Sequence, residues 1–331
     1  MDERGQVIAI VGATGTGKSA LADALAARIG GELISADSMQ VYRGMDIGTA
    51  KTPPDERSVP YHCIDLVDPG FSFTAALYQR YARSVIDRML TERKTPVLCG
   101  GTGLYVRVAL DDFCLDERRE NCDDAGEGAF YGDELRARLT AQAEELGAEA
   151  FHELLVQRDS QSAGLIHPNN VRRVIRAFEM LEQGTSYAKQ HEGFANFAAL
   201  YPVRFIGIYV DSDVLYEVIE KRVDSMLAAG LLDEVRGLVD AGFRKAVTAQ
   251  QAIGYKELVP VLEGNRSLED AVAEIKQSTR RYAKRQRTWF KRDSRILWID
   301  ATDLHRKALR GELTAAQFTQ GLLARTTDLL Q

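Results

Sequence analysis

The sequence predicts an α/β fold, a doubly wound parallel sheet that opens on a phosphate-binding loop and is interrupted by a mostly helical insertion domain. Three observations carry this expectation. Residues 6–11 form an apolar run that leads straight into Gly12-Ala13-Thr14-Gly15-Thr16-Gly17-Lys18-Ser19, a complete P-loop followed at once by a helical pattern. Strand-like and helix-like segments then alternate as far as residue 110. An apolar run at 204–210, closed by Asp211, resumes the sheet after a charge-rich detour.

Taken in order, residues 1–111 hold the first part of the core, with strands at 6–11, 32–36 and 95–99 and helices at 18–29 and 74–93. Residues 112–200 form the insertion, with helix-period stretches at 133–147 and 170–183 and a less regular segment at 113–132. Residues 201–331 complete the core. Helices are expected there at 214–229, 231–241, 255–263 and 268–291, then a strand at 295–299 and one C-terminal helix. No internal repeat or low-complexity linker breaks the pattern.

With 331 residues, 45% of them hydrophobic, the chain is an ordinary globular protein of two domains or one large domain with an insertion. The first strand begins within six residues, which leaves no room for a secretory leader, and no apolar run reaches membrane-spanning length. Cys63, Cys99, Cys114 and Cys122 lack zinc-type spacing and read as reduced thiols of a cytoplasmic protein. The five histidines show no paired spacing, so none is assigned to catalysis or metal binding. A formal charge of −6 argues against wholesale coating of nucleic acid, but it hides a local excess. Between Lys276 and Arg295 stand nine Lys and Arg against one acid, Asp293, with Trp289 and Phe290 among them. Cations for a phosphate backbone and aromatics for an unstacked base suit RNA contact; a solvated helix with its aromatics in the core is the competing reading.

The P-loop supplies backbone amides and a helix N-terminus for a phosphate chain, Lys18 as a point charge and the Ser19 hydroxyl as a ligand to Mg²⁺. By itself it leaves kinases, ATPases, GTPases and transferases open; the chain has no Asn-Lys-x-Asp element for guanine. The strand at 32–36 runs into Asp37-Ser38-Met39-Gln40 at the carboxyl edge, where open α/β sheets bind ligands. Asp37 is a candidate base or Mg²⁺ partner there, or else a turn cap. The strand at 95–99 ends in Gly100-Gly101-Thr102-Gly103, whose glycines allow a ligand close to the backbone.

The motifs GATGTGKS (12–19), ISADSMQVYRGMDIGTAK (34–51), GGTGLYVRVAL (100–110), IHPNNVRRVIRAFE (166–179), QAIGYKEL (251–258) and RQRTWFKR (285–292) together resemble the bacterial tRNA dimethylallyltransferases. The resemblance covers most of the chain in collinear order and implies a P-loop NTPase-like fold put to prenyl transfer. Dimethylallyl diphosphate would donate, with Mg²⁺ as cofactor, and N6 of the adenosine immediately 3′ of the anticodon of tRNA would accept. It also implies a monomer with no obligate protein partner.

By the same resemblance, Asp37 is the general base, Thr102 supports the diphosphate or its bridging oxygen, and Arg222 adds a cation from the far side. Asp37, Ser38, Met39, Gln40 and Gly103 would meet the RNA, as would Arg136, Arg172, Arg173 and Arg176 in the insertion. Lys284, Arg285, Gln286, Arg287, Trp289 and Lys291 would complete the anticodon stem-loop contact. Asn170 is expected to cap the helix that carries the arginine cluster. The chain departs from the family in an acidic, glycine-containing connector at 116–128 and in having no Cys beyond Cys122. The rival readings are an adenylate dimethylallyltransferase, a small-molecule P-loop kinase using Asp37 as base, and a purely binding P-loop module.

Overall fold

The computed structural model describes residues 5–113, 115, 131–195, 197–246 and 248–330. Cys114, Cys122 and the acidic connector at 116–128 fall outside them, as does most of the irregular segment expected at 113–132.

β1 (Val7–Gly12) is buried along its whole length, as a central parallel strand covered on both faces must be. It turns through the P-loop into α1 (Lys18–Ile29), which Gly30 ends in a left-handed conformation. β2 (Glu32–Ser35) and the short β3 (Tyr61–His62) follow, then α2 (Ala75–Thr91), whose first turn is capped by the Thr74 hydroxyl. β4 (Pro96–Gly100) leads into α3 (Gly103–Leu110). After the insertion come β5 (Val203–Tyr209), α9 (Ser212–Ala228) and α10 (Leu231–Asp240). A single turn, α11 (Val259–Leu262), precedes the long α12 (Leu268–Phe290), β6 (Ile296–Asp300), α13 (Thr302–Leu309) and α14 (Ala315–Leu330).

Among the described residues the strands form one six-stranded sheet in the order β3-β2-β4-β1-β5-β6, every pair parallel. This is the doubly wound sheet expected from the alternation. β1 lies between β4 and β5, so the P-loop emerges at the sheet centre, flanked by the ends of β4 and β5. Ile8, Ile10, Leu21, Leu25, Ile206 and Ile208 anchor the core beneath it, joined by Leu322 of α14.

The chain separates into two compact units, one of residues up to Asp112 together with Ala199 onward, the other Phe113–Ala198. The second unit is helical: α4 (Tyr131–Leu146), α5 (Ala148–Arg158), α6 (Ser160–Gly164), α7 (Val171–Glu182) and α8 (Tyr187–Ala195). Its core gathers Phe151, Leu155, Val174 and Phe178.

The helix expected at 255–263 is a correction: only Val259–Leu262 is helical. Gly254 adopts φ 96°, Tyr255 is held by a side-chain hydrogen bond to Glu234, and Pro260 has no N–H to continue a ladder. The single C-terminal helix is two, α13 and α14, separated at Gly311 with φ 75°. Asn170 occupies the N-cap position of α7, but its side chain makes no capping bond.

Candidate active site

Three strand ends build the site. The loop after β1 turns at Gly15 and Gly17 through left-handed backbone, φ 84° and 85°. Thr16 Oγ1 donates to the Ala13 carbonyl at 2.9 Å, and Lys18 Nζ reaches the same oxygen at 3.2 Å. The Thr14 amide donates to Gln286 Oε1 of α12 at 2.9 Å, while Gln286 Nε2 donates to the Gly101 carbonyl at 2.9 Å. Gln286 is buried and braces the P-loop against the glycine-rich turn after β4. Gln286 is expected among the RNA contacts; in the free protein both ends of its amide bond to the protein backbone.

The end of β2 is tied to the end of β4. The Thr102 amide donates to the Ala36 carbonyl at 3.2 Å, and the Ser38 amide donates to Thr102 Oγ1 at 3.1 Å. The Met39 amide donates to Asp37 Oδ1 at 2.9 Å, closing an Asx turn. The turn-cap reading of Asp37 thus holds for one oxygen; among the described residues no hydrogen bond engages the other.

Asp37, Lys18 and Arg222 lie within electrostatic reach of one another. Part of the Lys18 side chain meets solvent, yet burial of its ammonium lowers the pKa, and Arg222 lowers it further. Burial likewise lowers the Arg222 pKa, opposed by Asp37. Two cations near one carboxylate, with no ion pair to either among the described residues, make a pocket of net positive charge. Cys99 at the end of β4 is buried, and burial pushes its thiol up to about 11, opposed in part by Lys18 and Ser19. Tyr282 of α12, one turn before Gln286, was not foreseen; burial pushes its hydroxyl up to about 12, and Thr102 and Gln286 are near enough to oppose that rise. Its signal in the sequence was the four-residue spacing to Gln286 on one helix face.

The basic face of α12 is narrower than its composition suggested. Lys276 pairs with Asp224 at 2.6 Å and Arg280 with Glu220 at 2.5 Å, both on α9, and Arg295 is spent on Asp111 and Asp293. Arg281, Lys284, Arg285, Lys291 and Arg292 remain exposed. Arg287 lies over the Tyr209 ring at 5.0 Å and donates to Ser212 Oγ at 2.5 Å. With Lys291 it lines a cavity of about 130 Å³ against Gly12, Ala13 and Thr16. Trp289 is 38% exposed and packs its indole on Gly103, too close for a Cβ to stand between them.

In the insertion unit, Arg136 grips Glu179 through Nε and Nη2, at 2.7 and 3.0 Å, and Arg176 approaches the same carboxylate at 3.4 Å. Arg172 and Arg173 are exposed. All three arginines of the cluster are thus exposed, and Arg176, like Arg136, is in addition paired with the buried Glu179.

Such an arrangement can hold two phosphates on loop amides and cations while keeping a carboxylate oxygen beside them. Among the described residues no group of three or more His, Cys, Asp or Glu could cage a metal. Cys63 and Cys99 are free and buried. No helix among the described residues is long and apolar enough to cross a membrane.

Comparison with known proteins gives one result. A family model described as IPP transferase matches residues 40–293, and one described as Isopentenyl transferase matches residues 5–59. The chain is 44% identical over 309 residues to a tRNA dimethylallyltransferase of Geobacillus thermodenitrificans, covering 93% of this chain and 94% of that one. The crystal structure of a full-length tRNA isopentenylpyrophosphate transferase from Bacillus halodurans aligns with TM-score 0.64 at 40% identity, over 98% and 99% of the two chains. A eukaryotic dimethylallyltransferase captured acting on tRNA aligns with TM-score 0.75 at 27% identity, over 98% of this chain and 79% of that one.

Proposed function

The chain belongs to the IPP transferase family, and on that premise we propose that it moves a dimethylallyl group from dimethylallyl diphosphate to N6 of the adenosine 3′-adjacent to the anticodon of tRNA, releasing diphosphate. The observation that carries the chemistry is Asp37 beside Lys18 and Arg222 at the mouth of the P-loop. An allylic diphosphate breaks at the carbon–oxygen bond, and charge grows on the bridging oxygen as it leaves. Lys18, the P-loop amides and Arg222 are fixed donors for that charge, and one such donor is worth about 3 kcal/mol.

The adenine amine is conjugated into its ring and becomes acidic only as it bonds to carbon. Asp37 Oδ1 is held by the Met39 amide, which leaves Oδ2 to accept the N6 proton. The new bond is N6 to C1, the broken bond is C1 to oxygen, and the proton goes to Asp37. Thr102, whose hydroxyl accepts the Ser38 amide next to Asp37, is the group on the neighbouring turn that supports the leaving oxygen in this reading.

The donor set suits a Mg²⁺ carried in on the diphosphate: the exposed Ser19 hydroxyl at the start of α1, with phosphate oxygens and water for the rest. When bound, the ion neutralises charge on the leaving diphosphate. For the RNA, exposed Lys284, Arg285, Lys291 and Trp289 are the contacts from α12, and Arg172 and Arg173 those from the insertion unit. The target base must leave its stack to be alkylated, as for any enzyme working on a base edge.

Incubation with radiolabelled dimethylallyl diphosphate and either unmodified tRNA or AMP tests this reading. Label enters tRNA and not AMP if it is right; label in AMP alone makes the chain an adenylate dimethylallyltransferase. Phosphoryl transfer from ATP to a small metabolite, with no prenyl transfer, would instead make it a kinase.

A further inference from the structure

Two of the motifs, IGTAK at 47–51 and QAIGYKEL at 251–258, have no part in the chemistry above. They meet at Glu234 of α10. Glu234 Oε2 accepts the amides of Asp46 and Ile47 at 3.0 and 2.7 Å, and Oε1 accepts the Gly48 amide at 3.2 Å. The Tyr255 hydroxyl donates to Oε1 at 2.6 Å. Four donors on one carboxylate are charge-assisted bonds, about twice as strong as neutral ones. Tyr255 is fully buried and lies flat against Gly48, where a Cβ would come within 2.4 Å of its ring. Glu257 closes the turn below by accepting the Gly254 amide at 2.8 Å.

The anchored segment reaches the site through one side chain. Gln40 Nε2 donates to the Thr49 carbonyl at 3.2 Å, and Gln40 Oε1 accepts the Ser35 hydroxyl at 2.8 Å. Gln40 lies three residues beyond Asp37 in the stretch assigned to the RNA acceptor. Lys51 holds the other end, donating to the Tyr42 carbonyl at 2.6 Å and to Asp46 and Asp65 at 2.7 and 2.6 Å. None of these bonds touches the P-loop.

We infer that Glu234 and Tyr255 are positioning residues for the acceptor RNA: they hold residues 46–49 so that Ser38, Met39 and Gln40 stand ready for the base, without shaping the diphosphate site. The inference rests on the prenyl-transfer reading, and its test separates the two. Full-length Glu234→Gln and Tyr255→Phe are compared with wild type, each substrate varied in turn, and amide hydrogen exchange is followed over 44–51 and over 12–19. The expected result is a KM for tRNA raised about tenfold, with kcat and the KM for dimethylallyl diphosphate within twofold. Exchange at 46–48 should quicken at least tenfold while the P-loop stays unchanged. Both KM values rising alike, or kcat alone falling, overturns the inference, as does unchanged exchange at 46–48. Wild-type protein that prenylates no tRNA would sink the functional reading, and the exchange comparison would still decide the anchor.

Discussion

The two edges of the core sheet treat charge in opposite ways. At the amino edge, Asp111 has a side chain 1% exposed and is gripped by Arg107 and Arg295, the latter at 2.7 Å. Arg295 also holds Asp293 at 2.7 Å and lies over the Phe205 ring at 4.4 Å. At the carboxyl edge, Lys18 and Arg222 approach Asp37 without an ion pair among the described residues, and burial lowers both cationic pKa values. Buried charge left uncompensated costs folding energy, so it persists where a ligand supplies the missing counter-charge. On the proposed function, the amino edge serves stability and the carboxyl edge a diphosphate.

That contrast breaks if the two edges respond alike to mutation. The largest effect is expected at Asp37→Ala: single-turnover transfer falls about 10³-fold, the usual worth of a general base, with tRNA affinity within twofold in filter binding. Lost tRNA binding with intact single-turnover chemistry would remove Asp37 from the base role. Asp111→Ala should do the reverse. Breaking a buried ion cluster by removing one partner costs about 3–5 kcal/mol of stability, read by denaturant unfolding, while transfer per folded molecule stays near wild type.

Arg222→Ala comes next, with about 3 kcal/mol lost from the chemical step, roughly 10²-fold in kcat. Stability without ligand should hold or rise, because a half-buried cation has gone. Inorganic diphosphate with Mg²⁺ should then raise the melting temperature of wild type more than that of the variant. Equal shifts would mean that Arg222 does not face the phosphates.

How far these edges could be read from the chain follows from the range of the forces involved. The P-loop, Asp37 and the glycine turn before Thr102 are local patterns at strand ends, and the sheet order brings those ends together. The strands themselves were legible because buried parallel strands are unbroken apolar runs, whereas β3 is only two residues long and carries no period. The bracing role of Gln286 was not legible, because its two bonds, to Thr14 and Gly101, span 272 and 185 residues. The pairing of Lys276 and Arg280 of α12 was hidden for the same reason. Their acids sit on α9, which composition in one window cannot reveal. Lys18, Arg222 and Asp37 are likewise 204 residues apart at their widest, and only the family resemblance connected Arg222 to the others.

The smallest expected effect lies under the P-loop, where the carboxyl edge meets the C-terminal helices. His305 of α13 is buried and packs edge-on against Phe318 at 4.7 Å, the ring that covers Gly17 of the loop; its Nε2 has no partner. Burial lowers its pKa below 6.5, so below that pH the unfolded chain binds a proton that the native ring refuses. Its contribution is therefore fully present above about pH 6.5 and is lost as pH falls toward the lowered native value, at no more than about 1.4 kcal/mol per pH unit. Unfolding free energies measured at pH 8 and pH 5.5 should differ more in wild type than in His305→Phe, whose side chain takes up no proton in either state. An identical pH slope in the two proteins would place the acid sensitivity elsewhere. A steeper loss in wild type, with the P-loop amides exchanging first, would tie it to the unpartnered ring nitrogen of His305, which reaches the loop through Phe318.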